Sequence, residues 1–322
     1  MNVHLPQTEE ARMEAIELMG IKNNLVTPRN GEMLITATQD FITASYLISL
    51  KDVFYDRSQF TQICCYFCDA NMHIEIPPPA IWRPVQLWTG KQIFSVLLRP
   101  NKNSPVLVNL RTKNKSFVPQ EGRAPELCPN DGYVIIQNSE IMCGSIDKAI
   151  VGGSKSSSVL FFILKNYGGV AAAEVMNRLA KLCARWLGNR GFSIGINDVQ
   201  ASPELQDIKN HNIDTAYSQC DQLVEDSKLG RIANLPGQNL AETVESSMSG
   251  ILSKVRETAG KICQKELSRH NAPVIMAVCG SKGSTLNVCQ MVACVGQQII
   301  NSKRVQNGFV DRTLPHFLKH SV

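Results

Sequence analysis

The apolar and polar positions divide the chain into a turn-rich first half and a helical second half. Between residues 51 and about 165, prolines and turn residues separate short apolar runs, a pattern that favours an irregular, mostly β segment. From about residue 170 onward, apolar residues recur every three or four positions, which is typical of amphipathic helices. The pattern therefore predicts an α+β fold, with irregular mixed β structure followed by a mainly helical part.

Boundary signals give these elements approximate limits. The predicted helices are 7–20, part of 35–50, 171–187, 203–227, 239–269 and about 284–300. The predicted strands are Val106–Leu110, Tyr133–Ile136, Val159–Leu164 and Val274–Val278. Thr8 is placed to cap the first helix. The two long helices joined by Gly230–Gly237 are predicted to form an antiparallel hairpin.

Length and composition bound the class of protein. The 322 residues predict about two domains, and an apolar content of 43% is enough for a sizeable core. The net charge of +5 is a weaker bias than that of a stand-alone nucleic-acid-binding domain. Eleven cysteines cannot all pair with one another, which favours free thiols in a reducing compartment. No uninterrupted apolar run approaches the roughly 18 residues of a membrane span, and no signal peptide is evident, so we expect no membrane association.

The segment Gly280–Ser284, with the sequence Gly-Ser-Lys-Gly-Ser, is the most suggestive local feature. Small residues let backbone N–H groups approach an anion, a following helix adds a partial positive charge, and Lys282 adds a full one. The spacing of a Walker phosphate loop is absent. From these residues alone, a strand-to-helix turn with a solvated lysine is the favoured interpretation, and an anion site is the alternative.

Two other patterns suggest chemistry less strongly. Gly191–Gly195 matches the Gly-x-Ser-x-Gly turn of serine hydrolases, with Ser193 as nucleophile, but a predicted helix ends where that turn requires a strand. Cys65, Cys68 and His73 offer three zinc ligands, whereas a structural site requires four. No paired carboxylates or metal-binding acidic motif is evident, so the catalytic acids of any associated enzyme are expected elsewhere.

Several stretches, taken together, carry a family resemblance. They are Met1–Gln7, Leu87–Ile93, Asn189–Ile196, Gly280–Gln298 and Asp311–Phe317. Together these resemble the largest subunit of multisubunit DNA-directed RNA polymerases, in order and spacing, over essentially the whole chain. Asn24–Glu32, Lys91–Pro100 and Ile136–Glu140 are more similar to the RNA polymerase III version than to those of polymerases I and II.

The resemblance implies a division of the chain and the place of its metals. Residues 1–35 would be the tail of the active-site domain, 36–194 the pore, 195–310 the funnel, and 311–322 the start of the cleft region. In this family the loop that holds catalytic Mg²⁺ precedes the position of Met1, and the zinc sites of the subunit lie elsewhere. The resemblance therefore implies an inactive piece of a larger subunit, without metal ligands or catalytic residues of its own.

The resemblance also implies a function and site residues. The function would be DNA-templated RNA synthesis by a nuclear nucleotidyltransferase, with this chain lining the route by which nucleotides enter and backtracked RNA leaves. Lys282, with Ser281 and Gly283, would contact the phosphates of the incoming nucleotide or pyrophosphate. Gln297 and Gln298 would face the bridge helix. The implied partners are other polymerase subunits, above all the second-largest, together with nucleoside triphosphates, the RNA 3′ end and the DNA template.

Two alternatives remain open from the sequence. One is a serine hydrolase that uses Ser193, and the other is a non-catalytic module that interacts with a polymerase. If the resemblance holds, Ser193 belongs to a family turn between pore and funnel and is not a nucleophile.

Overall fold

The computed structural model describes residues 2–153, 157–301, 303–305, 308–309 and 312–320. Met1 and Asp311, which begin two of the stretches that carry the resemblance, lie outside the described residues, as does part of the predicted cleft region 311–322. The described residues form an α+β fold in which long helices dominate and the strands belong to three small antiparallel sheets. The predicted fold class is confirmed.

The helices and strands have the following limits. The helices are α1 (Glu9–Glu17), α2 (Gln39–Ser49), α3 (Arg57–Phe67), α4 (Gly90–Leu98), α5 (Lys148–Val151), α6 (Val159–Arg190), α7 (Pro203–Lys228), α8 (Leu240–Glu266), α9 (Ala272–Cys279) and α10 (Thr285–Val292). The strands are β1 (Phe54–Tyr55), β2 (Trp88–Thr89), β3 (Leu110–Lys113), β4 (Tyr133–Gln137), β5 (Glu140–Cys143), β6 (Ile299–Ile300) and β7 (Lys303–Arg304). Strand β1 pairs with β2, β3 with β4, β4 with β5, and β6 with β7.

The chain divides into two compact units. The first unit contains the residues up to Ile194 together with Ile275–Ser284, and the second contains Gly195–Val274 and the residues from Thr285 onward. In the first unit, α6 packs against α2 and α3, and α4 packs against β5. Its largest fully buried side chains include Phe60, Phe67, Ile48, Ile93, Leu97, Leu160 and Leu182. Two residues of α9, Ile275 and Cys279, add to this core.

Local capping explains where several helices begin. The Thr8 hydroxyl accepts a hydrogen bond from the Ala11 N–H at the start of α1, as the sequence predicts. Asp56 and Gln59 form a reciprocal capping box at α3, and Thr89 and Gln92 form another at α4. These caps satisfy N–H groups that have no partner within the helix.

Several predicted strands are wrong. Val159–Leu164 and Val274–Val278 lie within helices α6 and α9, and α3 and α4 occupy part of the segment predicted to be mostly β. Short apolar runs do not distinguish a buried strand from a buried helix, because both lack a polar face. Tyr133–Ile136 is a strand as predicted, whereas only Leu110 of the predicted strand Val106–Leu110 belongs to one.

The second unit is built on the predicted helical hairpin. Helices α7 and α8 pack against each other, and the Ser202 hydroxyl at the start of α7 donates to Glu266 at the end of α8, 2.6 Å away. The two helices are therefore antiparallel, which confirms the prediction. Helix α10 packs against α8 but ends at Val292, well short of the predicted residue 300.

Helix α6 is long and apolar enough to cross a membrane by length and composition alone. It is also a core helix of the first unit, with Leu160, Ile163, Leu179 and Leu182 buried in that core. Gly168, at φ +82°, interrupts its helical geometry. These features fit an internal helix of a folded unit.

Candidate functional site

The turn Gly280–Ser284, called here the Gly280 turn, ends helix α9. The N–H groups of Gly280 and Lys282 both point to the Met276 carbonyl, at 3.1 Å and 3.5 Å, and Gly280 has a φ of +80°. This is the geometry of a helix C-terminus closed by a left-handed glycine. The predicted strand-to-helix turn is therefore wrong at its first half, because a helix enters the turn.

The three residues predicted to contact phosphate share this turn but differ in what they offer. Lys282 and Gly283 are exposed, and Ser281 is half-buried, with its hydroxyl 3.5 Å from the Met276 carbonyl. Gly283 has a φ of +72°, which favours glycine at that position. Because two backbone N–H groups of the turn are used to close α9, its attraction for an anion comes mainly from the Lys282 ammonium.

Two further lysines of the first unit surround Gly280. A Cβ atom placed on Gly280 would lie 2.8 Å from the Lys115 Nζ and 3.2 Å from the Lys148 Cβ. Both lysines are exposed, although Gly280 itself is buried. The side chain of Lys115 therefore packs against Gly280, in the same turn that carries Lys282. Sequence reasoning missed both lysines, because they lie far from residue 280 along the chain.

A buried aspartate fixes this arrangement. Asp147 is 1% exposed, caps α5 through the Ala149 N–H at 2.9 Å, and accepts the Lys115 N–H at 2.7 Å. Burial raises the pKa of Asp147, while hydrogen bonds from the Lys115, Ala149 and Ile150 backbone oppose that shift. One carboxylate therefore ties the Lys115 backbone to the helix that begins with Lys148.

An ion pair from the sequence stretch Leu87–Ile93 supports the same region. The Lys91 ammonium lies 2.5 Å from the Asp131 carboxylate, and both side chains are largely buried. Asp131 also accepts the Gly144 N–H at 2.9 Å, and its carbonyl accepts the side-chain amide of Asn114 at 3.1 Å. Asn114 immediately precedes Lys115, so this network holds both sides of the Lys115 loop.

Gln297 and Gln298 belong to the second unit. They follow Gly296, whose φ is +81° and which lies so close to Arg256 that a Cβ would come within 2.9 Å of that side chain. Gln297 is half-buried, and its side-chain amide donates to the Gln298 carbonyl at 3.0 Å. The predicted helix does not reach these residues. They lie in an irregular stretch that ends at β6.

A groove of about 480 Å³ lies beside this stretch in the second unit. Its lining residues from α8 and α10 are Ser253, Lys254, Arg256, Glu257, Gly260, Lys261, Gln264, Thr285, Leu286 and Cys289. Arg256 lines the groove and also contacts Gly296. Gln297 and Gln298 follow Gly296 in the sequence, so they come directly after a residue that touches the edge of the groove. Gly260 in α8 leaves room for the Cys289 thiol, which lies 3.4 Å from the Gly260 carbonyl.

The sequence of this chain matches two models of known protein families. The family model described as RNA polymerase Rpb1, domain 3, matches residues 24–199, which is more than half of the chain. The model described as RNA polymerase Rpb1, domain 4, matches residues 223–322. This chain belongs to the RNA polymerase Rpb1 family.

The curated relatives of this chain indicate which class of RNA polymerase subunit it is most similar to. Over the whole of this chain, DNA-directed RNA polymerase III subunit rpc1 of Schizosaccharomyces pombe is 56% identical, and subunit RPC1 of Saccharomyces cerevisiae is 57% identical. The human subunit RPC1 is 49% identical. The resemblance to the RNA polymerase III version is confirmed. The chain spans only 22–23% of the length of these relatives, so it corresponds to a segment of them.

Membership of the Rpb1 family leaves the serine hydrolase unsupported. Helix α6 ends at Arg190, Gly191 takes a φ of +76°, and Ser193 is exposed in an irregular stretch. A nucleophile elbow instead places its serine between a strand and a helix. The Asp198 carboxylate accepts the Gly195 N–H at 2.9 Å and serves as a turn cap. The comparisons favour neither the hydrolase nor a free-standing interaction module.

The described residues offer no set of ligands for the metal ions that this family uses. Among the described residues, no group of three or more His, Cys, Asp or Glu side chains is placed to hold a metal ion. The residues present therefore do not fit the catalytic Mg²⁺ of a polymerase, and no chemical step through that ion is assigned to this chain.

Three buried thiols, those of Cys64, Cys183 and Cys263, have a structural character. All eleven cysteines are free. Burial raises the pKa of Cys64 and of Cys183 to about 12, and burial beside Cys289 raises that of Cys263 to about 12. Thiols with such pKa values stay protonated at neutral pH and act as small apolar groups.

Proposed function

We propose that this chain forms part of the largest, catalytic subunit of a nuclear DNA-directed RNA polymerase III and supports DNA-templated RNA synthesis. The observation that carries the proposal is an identity of 56–57%, extending over the full chain, to the yeast polymerase III subunits. These yeast subunits are more than four times as long as this chain, so the polymerisation chemistry would depend on parts of the subunit beyond this segment. Other polymerase subunits, the second-largest above all, are the proposed partners.

The proposed division follows the family map. Residues 36–194 would form the pore and 195–310 the funnel, between the tail of the active-site domain and the start of the cleft region. Nucleoside triphosphates would enter along these surfaces, and the 3′ end of backtracked RNA would leave along them. Exposed cationic groups such as Lys282 support this role, because they attract phosphates without requiring a metal ligand.

Within this map, Lys282 would contact the phosphates of the incoming nucleotide or the leaving pyrophosphate. Its position on a closed glycine turn fixes the backbone from which the ammonium extends. Ser281 and Gly283 keep the turn small enough for a ligand to approach. Catalytic Mg²⁺, held elsewhere in the subunit, would supply the two-metal chemistry of phosphoryl transfer. Gln297 and Gln298 would present amide groups toward the bridge helix.

The test of this role is a Lys282→Ala change in the assembled polymerase. Loss of a charge that contacts phosphate should raise the apparent KM for nucleotides roughly three- to tenfold, since tenfold corresponds to about 1.4 kcal/mol. Pyrophosphorolysis should slow as well. Single-nucleotide addition on a defined template measures the first effect, and transcript shortening with added pyrophosphate measures the second.

Lys282→Arg provides the matched variant, because it keeps the charge on a different head group. It should recover most of the nucleotide affinity. Nucleotide and pyrophosphate kinetics that are unchanged in Lys282→Ala would remove the proposed phosphate contact, while leaving the family membership untouched.

A further inference from the structure

We propose that Lys115 is a second phosphate-binding cation beside the Gly280 turn, positioned by Asp147. The proposal deepens the function proposed for Lys282, and it rests on that function only for the identity of the ligand. The ligand class is a phosphate anion, either the polyphosphate of a nucleotide or pyrophosphate, or the phosphodiester of an RNA 3′ end.

The first argument is the contact between Lys115 and Gly280. The Lys115 ammonium lies where a side chain on residue 280 would begin, 2.8 Å from that Cβ position. Gly280 precedes Lys282 by two residues, so the Lys115 ammonium lies against the same turn that carries Lys282. A phosphate bound at this turn would be attracted by both ammonium groups.

The second argument is that the backbone of Lys115 is held while its head group is left exposed. Its N–H donates to Asp147 at 2.7 Å, and the preceding Asn114, 6% exposed, donates to the Ser145 carbonyl at 3.1 Å. In the described part of the chain, no carboxylate lies within 4 Å of the Lys115 ammonium. Asp147 and Asn114 therefore fix the backbone from which the exposed Lys115 side chain extends.

Asp147 is a positioning residue in this arrangement. Its two oxygens receive the N–H groups of Lys115 and Ala149, and so join the Lys115 loop to α5. An asparagine keeps one accepting oxygen and can still cap α5, but its amide nitrogen cannot accept the second N–H. Asp147→Asn should therefore loosen Lys115 while preserving the helix cap.

The experiment uses RNA polymerase III assembled with the full-length largest subunit. Lys115→Ala should either raise the apparent KM for nucleotides and pyrophosphate roughly three- to tenfold, or lower the occupancy of the backtracked state by a similar factor. The first result identifies polyphosphate as the ligand, and the second identifies the RNA backbone. Lys115→Arg should restore at least part of the loss, and Asp147→Asn should reproduce the direction of the Lys115→Ala effect with a smaller size.

The control is Lys102→Ala, which removes another exposed lysine of the same unit whose carbonyl is bound by Arg99. It should leave both assays unchanged. Combining Lys115→Ala with Lys282→Ala should give less than the product of the single effects if the two ammonium groups bind one anion.

Wild-type values in both assays for Lys115→Ala would overturn the inference, and an effect in Lys282→Ala alone would leave the proposed function standing. An effect in Lys115→Ala alone would keep Lys115 as a phosphate-binding residue and reject the role of Lys282. Full synthesis rates at saturating nucleotide show that each variant subunit has folded and assembled.

Discussion

Gly280 has two roles in the first unit, one in its backbone and one in its contact with a charged side chain. Its positive φ closes helix α9, and its missing side chain makes room for the Lys115 ammonium. The sequence identifies the turn, because small residues around Lys282 are visible locally. It does not identify Lys115 or Asp147, because residues separated by more than 130 positions meet only in the folded unit. At this scale, the candidate residue was predictable and its surroundings were not.

Gly280→Ala is the stability prediction at the residue scale. The left-handed backbone costs a residue with a Cβ about 1–2 kcal/mol, and the new methyl group must also displace the end of Lys115. We therefore expect the free energy of unfolding of the chain to fall by about 1–3 kcal/mol in denaturant titrations. Gly283→Ala is the comparison, because it carries the backbone cost without a neighbouring atom within 4 Å. Equal losses for the two variants would argue against a contact at Gly280.

At the scale of elements, long periodic helices were predictable and short apolar runs were not. The hairpin of α7 and α8 follows from sustained spacing over more than twenty residues, and Asn239 caps α8 with Glu242 in the geometry that such sequences favour. The run Val274–Val278 was predicted as a strand because five apolar residues carry no periodicity. The run forms part of helix α9, in which Ile275 and Cys279 are buried in the core of the first unit.

The hairpin β6–β7 is attached to α8 by a bidentate ion pair. Arg304 donates to both oxygens of Glu245 at 2.8 Å, and it also lies 3.3 Å from the Met248 sulfur. The hydrogen bonds from Arg304 hold the pKa of Glu245 below its ordinary value of 4.5, and the same pair raises the pKa of Arg304. The pair tethers the chain shortly after Gln297 and Gln298.

Glu245→Gln gives a pH-dependent prediction. Because the folded pKa of Glu245 is lowered, its contribution to stability is present above pH 4.5 and is lost as the pH falls through the folded pKa. At pH 7 the variant should be less stable than the wild type by about 1 kcal/mol or less, since the pair is partly exposed. Denaturant titrations between pH 3 and pH 7 should show the difference shrinking in acid. A difference that does not change with pH would show that the ion pair makes no such contribution.

At the scale of the whole molecule, the family came from stretches spread along the chain and not from composition or from any single motif. Taken singly, the Gly-x-Ser-x-Gly pattern resembles that of a serine hydrolase, and Gly280–Ser284 reads as a turn with a solvated lysine and no ligand. Only their joint order indicates a polymerase subunit, which the matches at residues 24–199 and 223–322 then show. The hydrophobic pattern and the composition alone indicate only an α+β chain of ordinary charge. The described residues contain no cluster of metal ligands that would point to polymerase chemistry.

The most direct test of the account replaces the corresponding segment of the Schizosaccharomyces pombe RNA polymerase III largest subunit, 56% identical over 321 residues, with this chain. The measurement is template-directed RNA synthesis by the purified chimeric polymerase, with the native enzyme as reference. We predict assembly with the other subunits and a synthesis rate within roughly threefold of the reference, which corresponds to less than 1 kcal/mol in the barrier. A chimera that assembles but makes no RNA, or one that binds none of the other subunits, would contradict the proposed role.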